Sequence, residues 1–288
     1  MTKLSIVIPA KNESEGLPLL LPELIAAYPD AEIIVVDDGS DDDTAGVAAA
    51  MGARVVSHPY SKGNGAAIKT GARTASGEVI LFMDGDGQHR VDDIAGLLQK
   101  FEEGYDLVVG ARVGKGSQAS VMRWGANTVY NKFSSWMVGQ KIEDLTSGMR
   151  VVRRSKFMQF IYLLPNGFSY PTTSTMAFFR AGYSVSFVPV TVASRVGKSH
   201  LNPLRDGIRF FLIIFKIGTL YSPLKIYFPF ALILTALGLG RYAYTYISYG
   251  QFTNMSSVLL LGSLIVFLLG LVAEQITSLT YQTEEHGD

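Results

Sequence analysis

Over the first two thirds of the chain, short runs of β-branched and aliphatic residues alternate with longer amphipathic stretches. Leu4–Ile8, Glu32–Val36, Arg54–Ser57, Glu78–Met83 and Asp106–Gly110 have the length and composition of strands. Between them, Gly16–Tyr28, Thr44–Met51, Lys62–Ala75 and Asp92–Glu103 carry a helical repeat. Nearly continuous apolar strands separated by helices predict an α/β domain whose mostly parallel sheet is covered on both faces. Beyond Gly110 the alternation loosens. Helices are expected over Val121–Val138 and Thr172–Ala181, and strands over Met149–Arg153 and Ser184–Ala193.

After residue 206 the chain becomes strongly apolar. Leu204–Leu220 sets Arg205, Arg209 and Lys216 among bulky hydrophobic side chains, a pattern suited to a helix lying in a membrane interface. Ile226–Ile247 and Ser256–Ser278 each approach the ~20 residues that cross a bilayer. The YGQFTN segment between them is uncharged, whereas Lys198, Arg205, Arg209, Lys216 and Lys225 precede the first span. The positive-inside rule then places the N-terminal domain and the C-terminal tail in the cytoplasm, as in a multi-pass protein of the cytoplasmic membrane. The expected division is a domain over 1–200, amphipathic juxtamembrane helices over 201–222, and a two-helix anchor with a short tail over 223–288. A pair of buried helices in a soluble core is the competing reading; length and composition disfavour it. Arg241 and Glu274 fall within the spans at opposite depths, so they are expected to anchor the helices rather than to pair. Gly238, Gly240 and Gly262 permit close helix packing and, with it, a homo-oligomer.

Charge and cysteine content narrow the chemistry. The 25 basic and 25 acidic residues cancel, so nothing draws the whole chain to nucleic acid. The absence of cysteine excludes disulfides, thiolate metal sites and a cysteine nucleophile. Near the N-terminus the apolar run Leu4–Ile8 is too short for a secretory signal, which is consistent with a domain that stays in the cytoplasm.

In sheets of this kind, ligands sit outside the carboxyl ends of the strands, and the acidic clusters fall there. Asp84-Gly85-Asp86-Gly87-Gln88 follows one strand directly. Alternate residues of an extended segment point the same way, so Asp84, Asp86 and Gln88 are placed to converge on one hard cation such as Mg²⁺ or Mn²⁺. Gly85 and Gly87 leave room for a diphosphate to approach the backbone. Read alone, the same run also suits an acidic surface turn or a calcium loop; its position after a buried strand favours a site. Asp37-Asp38-Gly39-Ser40 ends another strand. One of its acids is expected to accept hydrogen bonds from a nucleobase or ribose and the other to serve the turn, while Ser40 to Thr44 cap the next helix. Pro9-Ala10-Lys11-Asn12-Glu13 borders the same crevice, and Glu13 either contacts the base or caps a helix.

Together, I-V-I-P-A-x-N-E, V-D-D-G-S-x-D-x-T, K-G-N-G-A-A-I-K-T-G and D-G-D-G-Q-H resemble the family 2 glycosyltransferases. The nearest likeness is to the branch containing dolichol-phosphate mannose synthase and the polyprenyl-phosphate glycosyltransferases. It covers roughly residues 1–200, and the C-terminal hairpin resembles the membrane anchor of bacterial members. The resemblance implies a GT-A, Rossmann-like fold and a metal-dependent, inverting transfer of a hexose. The donor would be a UDP- or GDP-linked sugar, and the acceptor undecaprenyl or dolichyl phosphate. By motif, Pro9, Ala10, Asn12, Glu13, Asp38, Lys62, Asp84 and Gly85 would line the nucleotide, and Asp84, Asp86 and Gln88 would surround Mg²⁺ or Mn²⁺. The chain departs from the family where Lys11 replaces a usual aromatic residue. Arg112, with Arg123 and Asn127 at i, i+4 spacing, would hold the lipid phosphate through guanidinium forks. Asp144-Leu145-Thr146-Ser147-Gly148-Met149-Arg150 resembles the family's D-x-T-S-G-F-R segment. There Asp144 contacts the sugar or orients the acceptor, and Arg150 is structural. The implied catalytic set is Asp86, Arg112, Arg123 and Asp144. Arg195, Lys198 and Ser199 resemble a loop that closes on the diphosphate, although basic residues beside a membrane also suit lipid headgroups.

Three other classes fit less well. A processive polysaccharide synthase normally carries more spans and a Q-x-x-R-W motif beyond the D-x-T segment. Here Arg123-Trp124 precedes Asp144, with Ser120 in the glutamine's place. A sugar nucleotidyltransferase usually has its glycine-rich loop after the first strand, unlike PAKNE. A non-enzymatic membrane scaffold gives no reason for acids at several strand ends.

Overall fold

The computed structural model describes residues 3–87, 89–112, 121–167, 169–191, 215, 218, 219 and 221–282, with the backbone alone at 121–124, 126, 127 and 280–282. The chain divides into two compact units, Met1–His200 and Leu201–Asp288.

The first unit is built on one seven-stranded sheet in the order β3-β2-β1-β4-β6-β5-β7. Its strands are β1 (Leu4–Ala10), β2 (Glu32–Asp37), β3 (Arg54–Ser57), β4 (Val79–Phe82), β5 (Leu107–Arg112), β6 (Arg150–Arg153) and β7 (Val185–Val190). The helices are α1 (Leu17–Ala27), α2 (Thr44–Ala50), α3 (Asn64–Thr74), α4 (Asp92–Glu102), α5 (Val121–Val138), α6 (Arg154–Gln159) and α7 (Tyr170–Arg180). The expected elements form, and the short α6 is added. All neighbouring strands run parallel except β6, which is antiparallel to both β4 and β5.

Successive residues Ile6, Val7 and Ile8 are all fully buried because helices cover both faces of the sheet. This is why β1, β2 and β4 read as unbroken apolar runs. Helix α4 shows how the covering layer is specified. Asp92 and Asp93 occupy its first turn, where they complement the helix dipole, and Ile94, Leu97 and Phe101 form its buried stripe. On α3, Gly71 permits the helix to lie directly on Val7 and Val36, since a Cβ there would enter the Val7 side chain.

The parallel direction brings Ala10, Asp37, Phe82 and Arg112 to one edge of the sheet. Reversed β6 begins at that same edge, its Arg150 pairing with Phe82 and Val109. The 144–149 segment therefore returns to the edge where the acidic strand ends lie.

At the opposite end, Glu32 joins four segments. Its carboxylate accepts hydrogen bonds from Ser5 Oγ of β1 at 2.7 Å, from Ser76 N and Oγ at 2.8 Å each, and from Arg54 Nη1 of β3 at 2.9 Å. Burial opposes its charge, but these donors prevail and hold its pKa down at about 2.

In the second unit, α8 (Pro223–Tyr249, 27 residues) and α9 (Asn254–Gln282, 29 residues) form a hairpin. At 1.5 Å per residue each is about 40 Å long, more than the ~30 Å hydrocarbon core of a bilayer. Gly238 packs against Leu260 and Gly270 against Tyr227. Thr235 Oγ1 meets Ser263 Oγ at 2.6 Å, and Ser263 Oγ donates to the Ala231 carbonyl at 2.7 Å. The remaining surface exposes Leu232, Ile233, Leu237, Leu261, Leu264 and Leu268, unlike helices in a soluble core. Glu274 accepts a hydrogen bond from the Leu224 amide in the first turn of α8, and Arg241 lies over the Tyr244 ring. Most of the expected amphipathic helix over Leu204–Leu220 lies outside the described residues.

Glu32 supplies a test of the first unit. Its unfolded pKa is about 4.3, so its contribution is complete above that range and is lost as pH falls toward about 2. Glu32→Gln is expected to lower stability at neutral pH and to flatten the loss of stability below about pH 4. Urea denaturation followed by tryptophan fluorescence reads this, since Trp124 and Trp136 both belong to the first unit.

Candidate active site

The carboxyl ends of β1 and β2 are tied to each other by their own loops. Asp38 N donates to the Ala10 carbonyl, Asn12 N to Ser40 Oγ, and Glu13 N to Thr44 Oγ1, each at 2.9 Å. Asn12 adopts a left-handed conformation (φ 56°), which asparagine tolerates better than most residues, and its Oδ1 accepts from Asp41 N at 2.8 Å. Asp42 receives Ser14 N, Thr44 N and the Thr44 hydroxyl. Hydrogen bonds from Ser14, then Thr44, hold its pKa at about 2. Asn12 therefore shapes the loop, and Thr44 joins the two loops as well as opening α2.

Asp38 is buried, and its carboxylate is fully engaged. Oδ1 accepts from His58 Nδ1 at 2.7 Å and Lys62 N at 2.9 Å, while Oδ2 accepts from Ser61 Oγ and Gly63 N at 2.8 Å each. Burial works against its charge, and these donors outweigh it and lower its pKa. A carboxylate has about four acceptor positions. Here all four hold the 58–63 loop. That loop lies against Gly39 (φ 66°), where a Cβ would strike the Tyr60–Ser61 backbone. The loop presents exposed Lys62, whose Nζ lies 5.7 Å from the centre of the Tyr60 ring.

At the next strand end, Gly85 sits beside Ile8 and the Pro9 carbonyl, and Gly16 fits between Glu13 and Gly85. Pro9, Glu13 and Gly85 are thus brought together in the crevice between β1 and β4. Asp84 lies over Gly148, where a Cβ would collide with its carboxylate. His89 Nε2 is 3.7 Å from Asp84 Oδ2. Asp84 and Asp86 are hard oxygen donors at the crevice edge, and Gln88 lies outside the described residues. Among the described residues, no cluster of three or more His, Asp or Glu groups forms a ready-made metal cage. Two carboxylates that leave the other positions to phosphate and water fit the usual coordination of Mg²⁺ at phosphate-transfer sites.

Arg112 and Asp144, separate in the sequence motifs, form one unit. Arg112 Nε and Nη2 meet Asp144 Oδ2 and Oδ1 at 2.7 and 2.9 Å, and Arg112 N adds a third bond at 3.2 Å. Thr146 accepts from the same Nη2. Burial disfavours both charges, but each partner more than compensates the other. The Arg112 pKa is raised and that of Asp144 lowered. Beneath them Arg150 is completely buried, donating to Pro171 O, Ser174 Oγ, Thr175 Oγ1 and Ser147 O, with its guanidinium 5.6 Å from the centre of the Tyr170 ring. It pins the 144–149 segment to α7.

Several expected residues cannot be located at this edge. The side chains of Arg123 and Asn127, and all of Arg195, Lys198 and Ser199, lie outside the described residues. Conversely, His58, Ser61 and Tyr170 were not singled out by the sequence reading, because each meets this edge across a long sequence separation. The HPYSKGNG context, adjoining a recognised glycine-rich motif, was the available signal for the first two. A double-mutant cycle of Arg112→Ala and Asp144→Ala, read by urea denaturation, is expected to give a coupling of about 1–3 kcal/mol. A value near zero would show that solvent screens the pair.

Residues 5–160 match the family model described as Glycosyl transferase family 2, and residues 222–279 match the GtrB C-terminal hairpin. The glycosyltransferase AglJ of Haloferax volcanii is 31% identical over 248 residues, covering 83% of this chain and 80% of that protein. The dolichyl-phosphate hexose transferase of the same organism is 27% identical over 205 residues, covering 71% and 89%. Among solved structures, glucosyl-3-phosphoglycerate synthase from Mycobacterium tuberculosis, in complex with Mn²⁺, UDP-glucose and phosphoglyceric acid, superposes with a TM-score of 0.60. Its identity is 20%, and the match covers 75% of this chain and 80% of that one. The fold is therefore of the GT-A type, and the chain belongs to glycosyltransferase family 2.

Proposed function

We propose that this protein transfers a hexose, with inversion, from a UDP- or GDP-linked sugar to a polyprenyl phosphate at a membrane surface. The observation that carries the reading is the meeting at one sheet edge of Asp84, Gly85 and the Arg112–Asp144 pair. That edge belongs to a family 2 chain that also has two bilayer-length helices. A relative named for dolichyl-phosphate hexose transfer supports the acceptor class.

In this mechanism Pro9, Ala10, Glu13 and the Lys62 loop hold the nucleoside, and Gly85 lets the diphosphate approach the backbone. Asp84 and Asp86, with Gln88, would hold Mg²⁺ or Mn²⁺, which when bound neutralises charge developing on the departing diphosphate. A phosphate monoester has its second pKa at about 6 and is already an anion near neutral pH. The acceptor therefore needs orientation and charge complementarity more than a strong general base. Arg112 commits Nε and Nη2 to Asp144, which fixes the plane of its guanidinium and directs Nη1 as the remaining phosphate-binding group. Arg123 and Asn127 are assigned to the same phosphate, and Arg195, Lys198 and Ser199 to the diphosphate. Asp144 sets the guanidinium rather than acting as a free base. The hairpin crosses the cytoplasmic membrane twice and leaves the first unit on the cytoplasmic side.

Asp86→Ala is expected to lower sugar transfer by about a hundredfold or more while the chain stays folded in detergent. The assay is incubation with a panel of nucleotide sugars and polyprenyl phosphate, followed by product analysis. A glycosyl lipid supports the proposal; a polymer, a nucleotide sugar or no product counts against it, as does near-normal turnover by the variant. The chain contains no cysteine, so single cysteines report topology. Gln251→Cys is expected to react with an impermeant maleimide in intact cells, and Asp30→Cys only after lysis. The reverse pattern overturns the orientation.

A further inference from the structure

His58 is a buried ionisable residue that the proposed transfer does not use. It follows β3 directly, and its backbone N–H donates to the Asp37 carbonyl at 2.8 Å, prolonging the β2–β3 ladder by one residue. Its ring spans two elements. Nδ1 lies 2.7 Å from Asp38 Oδ1 at the end of β2, and Nε2 lies 2.9 Å from Thr70 Oγ1 on α3. An ionised carboxylate only accepts, so Nδ1 carries the hydrogen in this contact. Thr70 at the other end fixes the ring's rotation.

The three other donors to Asp38 are Ser61 Oγ, Lys62 N and Gly63 N, all within the loop that Asp38 organises. His58 stands at the root of that loop and braces the carboxylate against α3. Without it, Oδ1 keeps one donor, the carboxylate can turn, and the loop loses a fixed acceptor for two amides.

We propose that His58 is a positioning residue for the nucleotide side of the site, acting through Asp38 to hold the Ser61–Gly63 segment that presents Lys62. The inference rests on the reading that this crevice binds a nucleoside diphosphate sugar. It differs from a packing role in a measurable way. Packing loss lowers stability and affects donor and acceptor alike, whereas loss of loop positioning falls on the donor.

The experiment uses the full chain in detergent with His58→Ala, His58→Gln and His58→Asn. An Asn amide can place its N–H near the position of Nδ1, whereas a Gln amide reaches toward that of Nε2. His58→Ala and His58→Gln are expected to raise donor KM about tenfold, as for partial loss of a hydrogen bond to a charged group. The kcat and the KM for polyprenyl phosphate should stay within about twofold, and His58→Asn should recover most of the donor affinity. Calorimetry with UDP and GDP should show the same ordering without turnover. An unchanged donor KM in His58→Ala, equal losses for donor and acceptor, or no recovery in His58→Asn would each overturn the proposal. Should His58→Ala fail to fold, Thr70→Val removes only the far tether and must still raise donor KM. Unchanged donor binding in that variant also overturns the proposal. If the wild-type chain binds neither nucleotide, the functional reading falls and takes this inference with it. If wild type and His58→Ala bind a nucleotide equally, the inference alone falls.

Discussion

Reversed strand β6 and the guanidinium buried at its first residue set the Arg112–Asp144 side of the crevice. Between β4 and β5, an antiparallel strand makes residues 144–149 enter at the edge where parallel strands end. Arg150 then holds that segment from below, donating to carbonyls and hydroxyls of α7 and of the segment itself. Its Nη1 and Nη2 tie Ser147 to Pro171, Ser174 and Thr175, while Nε is buried without a partner among the described residues. Gly148 can therefore pass beneath Asp84, and Asp144 can meet Arg112.

The two sides of the crevice use a similar device. Asp38 and Asp144 are both buried carboxylates whose oxygens are occupied by protein donors, and each organises a neighbouring loop. In a poorly solvated setting, an unsatisfied carboxylate would be costly and would tend to protonate. Satisfied carboxylates are rigid supports instead. Lys62, carried by the loop that Asp38 holds, is exposed. Asp38 and Asp144 thus support neighbouring residues through bonds within the protein.

The hairpin follows different physics. Its surface is chiefly apolar. Close approach at Gly238 and Gly270 and the Thr235–Ser263 hydroxyl contact supply the specificity. Gly238, which also suited contact between copies, is used within the hairpin. Arg241 and Glu274 each find a separate contact.

The strands, their helical cover and the two long apolar helices were legible from residue patterns, because burial on two faces and bilayer thickness act on consecutive residues. The acidic clusters were legible too, since each directly follows a strand. The direction of β6 was not, because the short run at Met149–Arg153 has the same composition in either orientation. Nor were the protein partners of Asp38, Arg112 and Asp144. Which of their hydrogen-bonding groups the protein itself occupies depends on contacts across 20 to 34 positions. Local chemistry determined that anionic ligands and hard cations suit this edge. Tertiary pairing decided which charged groups act as supports, because each hydrogen-bonding site is used by whichever partner the fold brings within reach.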